Sequence, residues 1–198
     1  MATTIYDTIG VAPIINAKGT ATRLSGGIMR PEVAAAMVEA SQHCVDMAAL
    51  QAAASRQIAG ATGAEAGYIA SGAAACLLLG AAACVTGLDP GAMARLPGTP
   101  GLRNEIIMVR SQRNFYDHAI RATGATIVEV GLPDRYAGAG VRDAEVWELE
   151  DAITPQTAAI FYVADSQAEP PLKSVTQMAR RRRIPVIVDA AAQLPPQS

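Results

Sequence analysis

Long apolar runs are missing from this sequence. No stretch reaches the roughly 18 consecutive apolar residues that a membrane span requires. The opening Met1-Ala2-Thr3-Thr4-Ile5-Tyr6-Asp7 has neither a basic start nor an apolar signal core. A soluble, cytoplasmic protein is the expectation. An excess of either charge is also missing. Sixteen Lys and Arg against 18 Asp and Glu leave a net charge of −2, so there is no overall electrostatic case for nucleic acid or a membrane surface. The one basic run, Arg180-Arg181-Arg182-Arg183, closes a predicted helix, where cations favour the dipole and a solvated helix end accounts for it better than a polyanion site. The 3 cysteines, Cys44, Cys76 and Cys84, are odd in number and lack metal-ligand spacing. Cys76 and Cys84 lie among Ala and Leu and read as small core residues. Lysine is nearly absent: only Lys18 and Lys173 occur.

What is present is alanine. Hydrophobic residues make up 51% of the 198, only 4% of residues are aromatic, and alanine supplies much of the apolar fraction. That composition suits close packing of helices on a sheet, and the length can bury a real core. The periodicity predicts helices over 32–42, with Val33, Met37 and Val38 on one face, and over 46–60, followed by the break Gly60-Ala61-Thr62-Gly63-Ala64. A short apolar strand, Tyr68-Ile69-Ala70, is expected to run into Ser71-Gly72, with a helix over 73–86 after it. Gly87-Leu88-Asp89-Pro90-Gly91 reads as a helix stop and 95–101 as a Pro/Gly-rich loop. Then come strands at 106–109, 126–130, 158–163 and 185–189. Helices at 117–123, 143–152 and 172–182 alternate with them, and Trp147 is expected to pack at a helix edge. From residue 66 onward the strands are continuously apolar, the pattern of a mainly parallel sheet covered on both faces. The expectation is an α/β fold: a three-layer, mainly parallel sheet over 65–198, with an N-terminal arm and helices over 1–64.

In such sheets ligands sit beyond the carboxyl ends of the strands. That directs attention to Ser71-Gly72, Gln112-Arg113-Asn114, Asp165-Ser166-Gln167 and Asp189. A helix that follows Ser71-Gly72 at once leaves its first N–H groups free to hold a phosphate. No Lys follows the glycine, and Gly-x-Gly-x-x-Gly is absent, so neither common nucleotide loop is present. An ordinary tight turn would show the same residues. Asp189 ends a buried-type strand, where a carboxylate needs a cationic partner or donors. A protonated ligand nitrogen would supply one, and capping of the next helix is the plainer alternative.

Four stretches now carry a resemblance: Ile15-Asn16-Ala17-Lys18-Gly19-Thr20, Thr62-Gly63-Ala64-Glu65-Ala66, Ser71-Gly72-Ala73-Ala74-Ala75 and Val188-Asp189-Ala190-Ala191-Ala192. In order and spacing the chain resembles the fold-type-I pyridoxal-phosphate enzymes. In particular it resembles the group around selenocysteine synthase (L-seryl-tRNA(Sec) selenium transferase) and D-glucosaminate-6-phosphate ammonia-lyase. The resemblance implies that the phosphate of pyridoxal 5'-phosphate rests on Gly72, Ala73 and Ala74 with Ser71 nearby, and that Asp189 pairs with the ring nitrogen. It implies a ring cover from the 112–118 loop, with Gln112, Arg113 and His118 as candidates. It places Ser166 or Gln167 near the ring hydroxyl. Asn16, Thr20 and Arg23 match the substrate-side motif, Arg23 as a bidentate anion ligand, although a surface arginine would look the same.

The Schiff-base lysine of that family follows the strand after Asp189. Neither Lys18 nor Lys173 occupies that position, so no catalytic residue is assigned here, and the chain reads as a partial or inactive form without the small C-terminal domain. The implied function is a PLP-dependent lyase or transferase acting on a small amino substrate, an amino acid or amino sugar acid. Ammonia loss by α,β-elimination is preferred, and a homo-oligomer is implied. A non-catalytic phosphate- or nucleotide-binding α/β domain, or a tRNA-dependent selenium transferase, is the alternative. The acidic balance tilts against the tRNA-dependent version. No metal is expected.

Overall fold

Prolines and capping carboxylates set where the helices begin in a computed structural model that describes residues 4–19, 22–132 and 143–193. Helix α1 (Pro31–Ala40) opens on Pro31, whose fixed φ and missing N–H suit a first helical position. Helix α2 (Met47–Thr62) is capped by Asp46, which accepts from the Ala49 N–H at 2.7 Å, and it stops at left-handed Gly63. Then follow α3 (Ala73–Thr86), α4 (Pro90–Arg95), β1 (Glu105–Val109), α5 (Asp117–Arg121) and β2 (Thr126–Val130). The order closes with α6 (Val146–Asp151), β3 (Thr157–Val163), α7 (Leu172–Arg182) and β4 (Val186–Asp189).

The chain divides into two units, residues up to Gly67 and residues from Tyr68 onward. In the first unit none of the described residues is buried, and Val33, Met37 and Val38 of α1 and Met47 and Leu50 of α2 are all exposed. The second unit is built on a sheet of order β2-β1-β3-β4 with every neighbour parallel. Successive residues of β1 face opposite sides of the sheet. Ile106 and Met108 pack with Phe161, Ile120 and the Leu77, Ala81 and Val85 stripe of α3. Ile107 and Val109 pack with Ile160, Leu149, Val175 and Met178 beneath α6 and α7. Each such fully buried side chain contributes roughly 1.5–3 kcal/mol of transfer free energy. The result is the three-layer α/β arrangement that the apolar strands imply.

Several expectations are corrected. Tyr68-Ile69-Ala70 forms no strand among the described residues, with Tyr68 and Ile69 exposed, so strand composition alone does not place a run in a sheet. The Asp89-Pro90 pair starts α4 rather than only ending α3. The Asp89 carboxylate accepts from the Gly91 and Ala92 N–H groups at 2.8 and 3.2 Å. Cys76 is exposed and Cys84 half-buried, because α3 buries its Leu77-Ala81-Val85 stripe and Thr86; that partial burial pushes the Cys84 thiol pKa up. Strand β4 is half-buried rather than buried, since it pairs with β3 alone among the described residues. Helix α6 begins three residues later than the pattern suggests, at a capping box in which Glu145 and Glu148 take each other's backbone N–H. Trp147 is exposed.

Two glycine-type positions make the packing testable. Gly124 lies at φ +85°, and a Cβ there would collide with the Pro97 carbonyl oxygen. Gly124→Ala should therefore lower the urea-unfolding stability by roughly 2–4 kcal/mol. Arg183 closes α7 in the left-handed region at φ 57° with a full side chain. In the same assay Arg183→Gly should raise stability by about 1 kcal/mol.

Candidate functional site

Helix α3 starts without a cap. Gly72 stands at its N-cap with φ 120° and ψ 173°, a conformation that glycine alone adopts freely, and no side chain bonds to the first turn. The first backbone bond runs from the Cys76 N–H to the Gly72 carbonyl at 3.1 Å. The N–H groups of Ala73, Ala74 and Ala75 precede it and have no intrahelical acceptor. None of the described residues lies within 4 Å of the Gly72 Cβ position, so among them the space above this turn is open. The Ser71 hydroxyl is exposed beside it and makes no hydrogen bond among the described residues. Donors aimed outward on a positive helix end form a seat for an anion. The helix runs over β3 and β4, which places the seat and Asp189 in one unit.

The ends of β1, β3 and β4 are joined by side chains. Pairing of β1 with β3 stops at Met108 and Phe161, two residues short of the last residue of β3. The Val163 N–H would then lack a strand acceptor, and the Gln112 Oε1 takes it at 2.9 Å. On the other side Val163 is in register with Asp189, and the Ala164 N–H donates to the Asp189 carbonyl at 2.8 Å. The Asp189 Oδ1 accepts the Ala191 N–H at 3.0 Å, which makes it the cap of a turn rather than of a helix. Its Oδ2 carries no hydrogen bond among the described residues. The Gln112 Nε2 is buried and has no acceptor among the described residues. A buried donor left so costs about 1–3 kcal/mol.

Beyond Gln112 the loop is fastened by charge. Asp117, nearly inaccessible, accepts from Arg113 Nε at 2.5 Å and from Arg121 Nε at 3.2 Å. Arg113 Nη1 also bonds Glu129 of β2, and Arg110 Nε meets the same carboxylate at 3.0 Å. Burial alone would push the Asp117 carboxyl up, but the hydrogen bonds and charges of Arg113 and Arg121 outweigh it and hold the pKa below the ordinary value. The Asp117 hydrogen bond in turn raises the Arg113 pKa. His118 is exposed, its Nδ1 3.4 Å from Arg121 Nη2. Sequence reasoning passed over Asp117 and Glu129. The i, i+4 spacing of Arg113, Asp117 and Arg121 carried part of that signal; the Glu129 contact, across two strands, had none.

The other candidates are more scattered. Ser166 is exposed and lines a cleft of about 340 Å³ at the end of β3, with Tyr162, Asp165 and Leu172 among its walls. Tyr162 holds the 164–170 loop through its hydroxyl, which donates to the Pro170 carbonyl at 3.1 Å, and burial raises its pKa. Gln167 donates its N–H to Asp165 Oδ1 at 2.8 Å. Asn16 and Arg23 belong to the first unit. The Asn16 side chain folds onto its own turn, Nδ2 to the Gly19 carbonyl at 2.8 Å and Oδ1 from the Lys18 N–H at 2.9 Å. Thr20 lies outside the described residues. No group of three or more His, Cys, Asp or Glu among the described residues could hold a metal ion. None of the helices there is long and apolar enough to cross a membrane.

The Asp117 pair makes a pH prediction. A carboxyl whose folded pKa is depressed adds stability that is complete above its unfolded value, about 3.9, and is lost as pH falls through the lower folded value. Asp117→Asn should cost roughly 2–3 kcal/mol at pH 7, since two guanidinium donors lose a buried anion. The difference from wild type should shrink in denaturant titrations taken from pH 5 towards pH 2. A difference constant over that range would refute the assignment.

No family model matches the chain. It is 34% identical over 201 residues to D-glucosaminate-6-phosphate ammonia lyase of Salmonella typhimurium (strain 14028s / SGSC 2262), covering 98% of this chain and 52% of that protein. It is 33% identical over 198 residues to 5'-C-glycyluridine monooxygenase-decarboxylase of a Streptomyces species, covering 95% of this chain and 48% of that one. The chain thus spans about half the length of the curated relatives it matches. A solved structure of D-glucosaminate-6-phosphate ammonia-lyase superposes with a TM-score of 0.89 over 98% of this chain and 53% of its own, at 34% identity. Aspartate aminotransferase from Thermotoga maritima, 17% identical, shares the fold with a TM-score of 0.52 over 93% of this chain and 48% of its own. In sequence and in fold the chain is thus similar to D-glucosaminate-6-phosphate ammonia-lyase, on a parallel α/β architecture that it shares with aspartate aminotransferase.

Proposed function

We propose that the chain forms the phosphate and ring-nitrogen side of a pyridoxal 5'-phosphate site in a lyase that eliminates ammonia from an amino sugar acid or amino acid. One observation carries this reading. An uncapped helix start and a strand-end carboxylate with a free oxygen occur in one unit of a chain 34% identical to an ammonia lyase. The residues present fit the cofactor. Ala73 and Ala74 offer N–H groups to a phosphate beneath open space at Gly72, with Ser71 able to add its hydroxyl. The free Asp189 oxygen can hold a proton on a ring nitrogen. When bound, the cofactor supplies an electron sink for charge that develops beside the amino-bearing carbon.

The chain's own residues orient and hold. Asp189 fixes the ring, and the Arg113-Asp117-Glu129 network stiffens the loop that carries Gln112 and His118. Ser166, exposed at the β3 cleft, stands on the ring-hydroxyl side. In the first unit Arg23, with Asn16 and Thr20, takes the substrate's carboxylate or phosphate. Neither Lys18 nor Lys173 is assigned a chemical step. A second copy of the chain covers the first unit, whose described residues bury nothing while exposing Val33, Met37, Met47 and Leu50. The free Cys44, Cys76 and Cys84 suit a reducing cytoplasm. The comparable likeness to a monooxygenase-decarboxylase favours a second reading, in which the same cradle serves oxygen-dependent decarboxylation. Ammonia release against oxygen uptake with amino substrates separates the two.

Titration with pyridoxal 5'-phosphate, followed by its absorbance, tests the site. Asp189→Ala should weaken binding about 10–100-fold, the loss of one charge-assisted bond. His118→Ala should change it less than about threefold, because the exposed imidazole contributes no enclosed contact. The opposite order overturns the assignment of the ring nitrogen's partner.

A further inference from the structure

We infer that Gln112 is a positioning residue whose free amide donates to the ring oxygen of the bound cofactor. The inference rests on the reading of this unit as a pyridoxal-phosphate site. The carboxamide can be oriented without ambiguity. Val163 N–H is a donor, so the atom 2.9 Å from it must be the oxygen, and the NH₂ group is the end left over. Gln112 stands where β1 has already turned away, and its side chain substitutes for the next peptide unit of that strand. One end of the substitute completes β3. The other, Nε2, is buried at the carboxyl edge without an acceptor among the described residues, and β3 stands between its strand and that of Asp189.

A buried donor on a strand end is conserved energy only if something arrives to accept from it. Within the proposed site the acceptors are few. The phosphate is met by the α3 N–H groups, and the protonated ring nitrogen by Asp189 Oδ2. The ring oxygen is the remaining anionic atom of the cofactor. A donor there favours its ionised form, because a hydrogen bond to the charged state lowers the pKa of an acid. The loop that carries Gln112 is held by Arg113 on Asp117 and Glu129, so the amide is fixed before any ligand binds.

Gln112→Glu tests this, since it keeps an oxygen for Val163 and replaces the donor with an acceptor. The titrants are pyridoxal 5'-phosphate and its analogue lacking the ring oxygen, both read by absorbance. The variant should bind pyridoxal 5'-phosphate at least about tenfold more weakly than wild type. It should also shift the ionisation of the bound ring oxygen, seen in the spectrum, to higher pH. Wild type and variant should bind the deoxy analogue alike. Equal affinity of the two proteins for pyridoxal 5'-phosphate, with an unshifted spectrum, overturns the role of Gln112 and leaves the site standing. If wild type binds no pyridoxal 5'-phosphate, both readings fall together. Should the variant not fold, wild type alone decides: equal affinity for the two titrants overturns the inference, and at least a tenfold preference for the one with the ring oxygen supports it.

Discussion

Parallel strands that stop at different heights leave backbone groups without partners, and the polar architecture of the second unit is organised around that constraint. The pairing of β1 with β3 stops two residues before β3 does, and a single N–H, that of Val163, is exposed to the consequence. Gln112 repairs it from the side, and Ala164 and Asp189 complete the far side. The repair places one amide beyond β1 and one carboxylate at the end of β4, on either side of β3. Neither needed to be there for the core, which is made by Ile106, Ile107, Phe161 and their neighbours on the two faces. A functional edge can therefore arise from the same hydrogen-bond accounting that the sheet must satisfy in any case.

Helix α3 obeys the opposite rule. Its start is left unrepaired: Gly72 cannot cap with a side chain, and Ala73, Ala74 and Ala75 have none that could reach back. Asp46 caps α2, Asp89 caps α4 and Glu145 with Glu148 closes the start of α6, whereas α1, α5 and α7, like α3, have no side-chain cap. The absence of a capping carboxylate at α3 keeps negative charge away from the one helix end where an anion is expected to sit. Local sequence choice and proposed function agree there.

How much of this was legible beforehand follows from the range of each interaction. The β2 and α3 limits, and α7 from Leu172 to Arg182, are set by periodicity and stop residues, and the sequence pattern places them at the observed residues. Ser71-Gly72 and Asp189 were visible as well, because each lies beside a short apolar run. What failed was anything decided by a distant neighbour. Tyr68-Ile69-Ala70 has strand composition but forms no strand among the described residues, and Cys76 has core composition on the outer side of α3. Asp89-Pro90 has the composition of a helix stop, but Asp before Pro is also a start signal, and the structure uses it as one.

The charged loop shows why a residue's chemistry cannot be read from its type alone. Arg113 carries the strongest charge among the loop candidates, and Asp117 and Glu129 both engage it, so its guanidinium is committed to holding the loop on β2. Gln112, uncharged and less conspicuous in sequence, is left with an unanswered donor at a strand end. The two roles depend on each other. A flexible glutamine would lose side-chain entropy on meeting a ligand, whereas one whose oxygen is already fixed to Val163, on a loop already fixed by Arg113, has little left to lose. The ion pairs on the β1–β2 side thus prepare the donor on the β1–β3 side, and the charge that looked suited to a ligand acts one residue away from it.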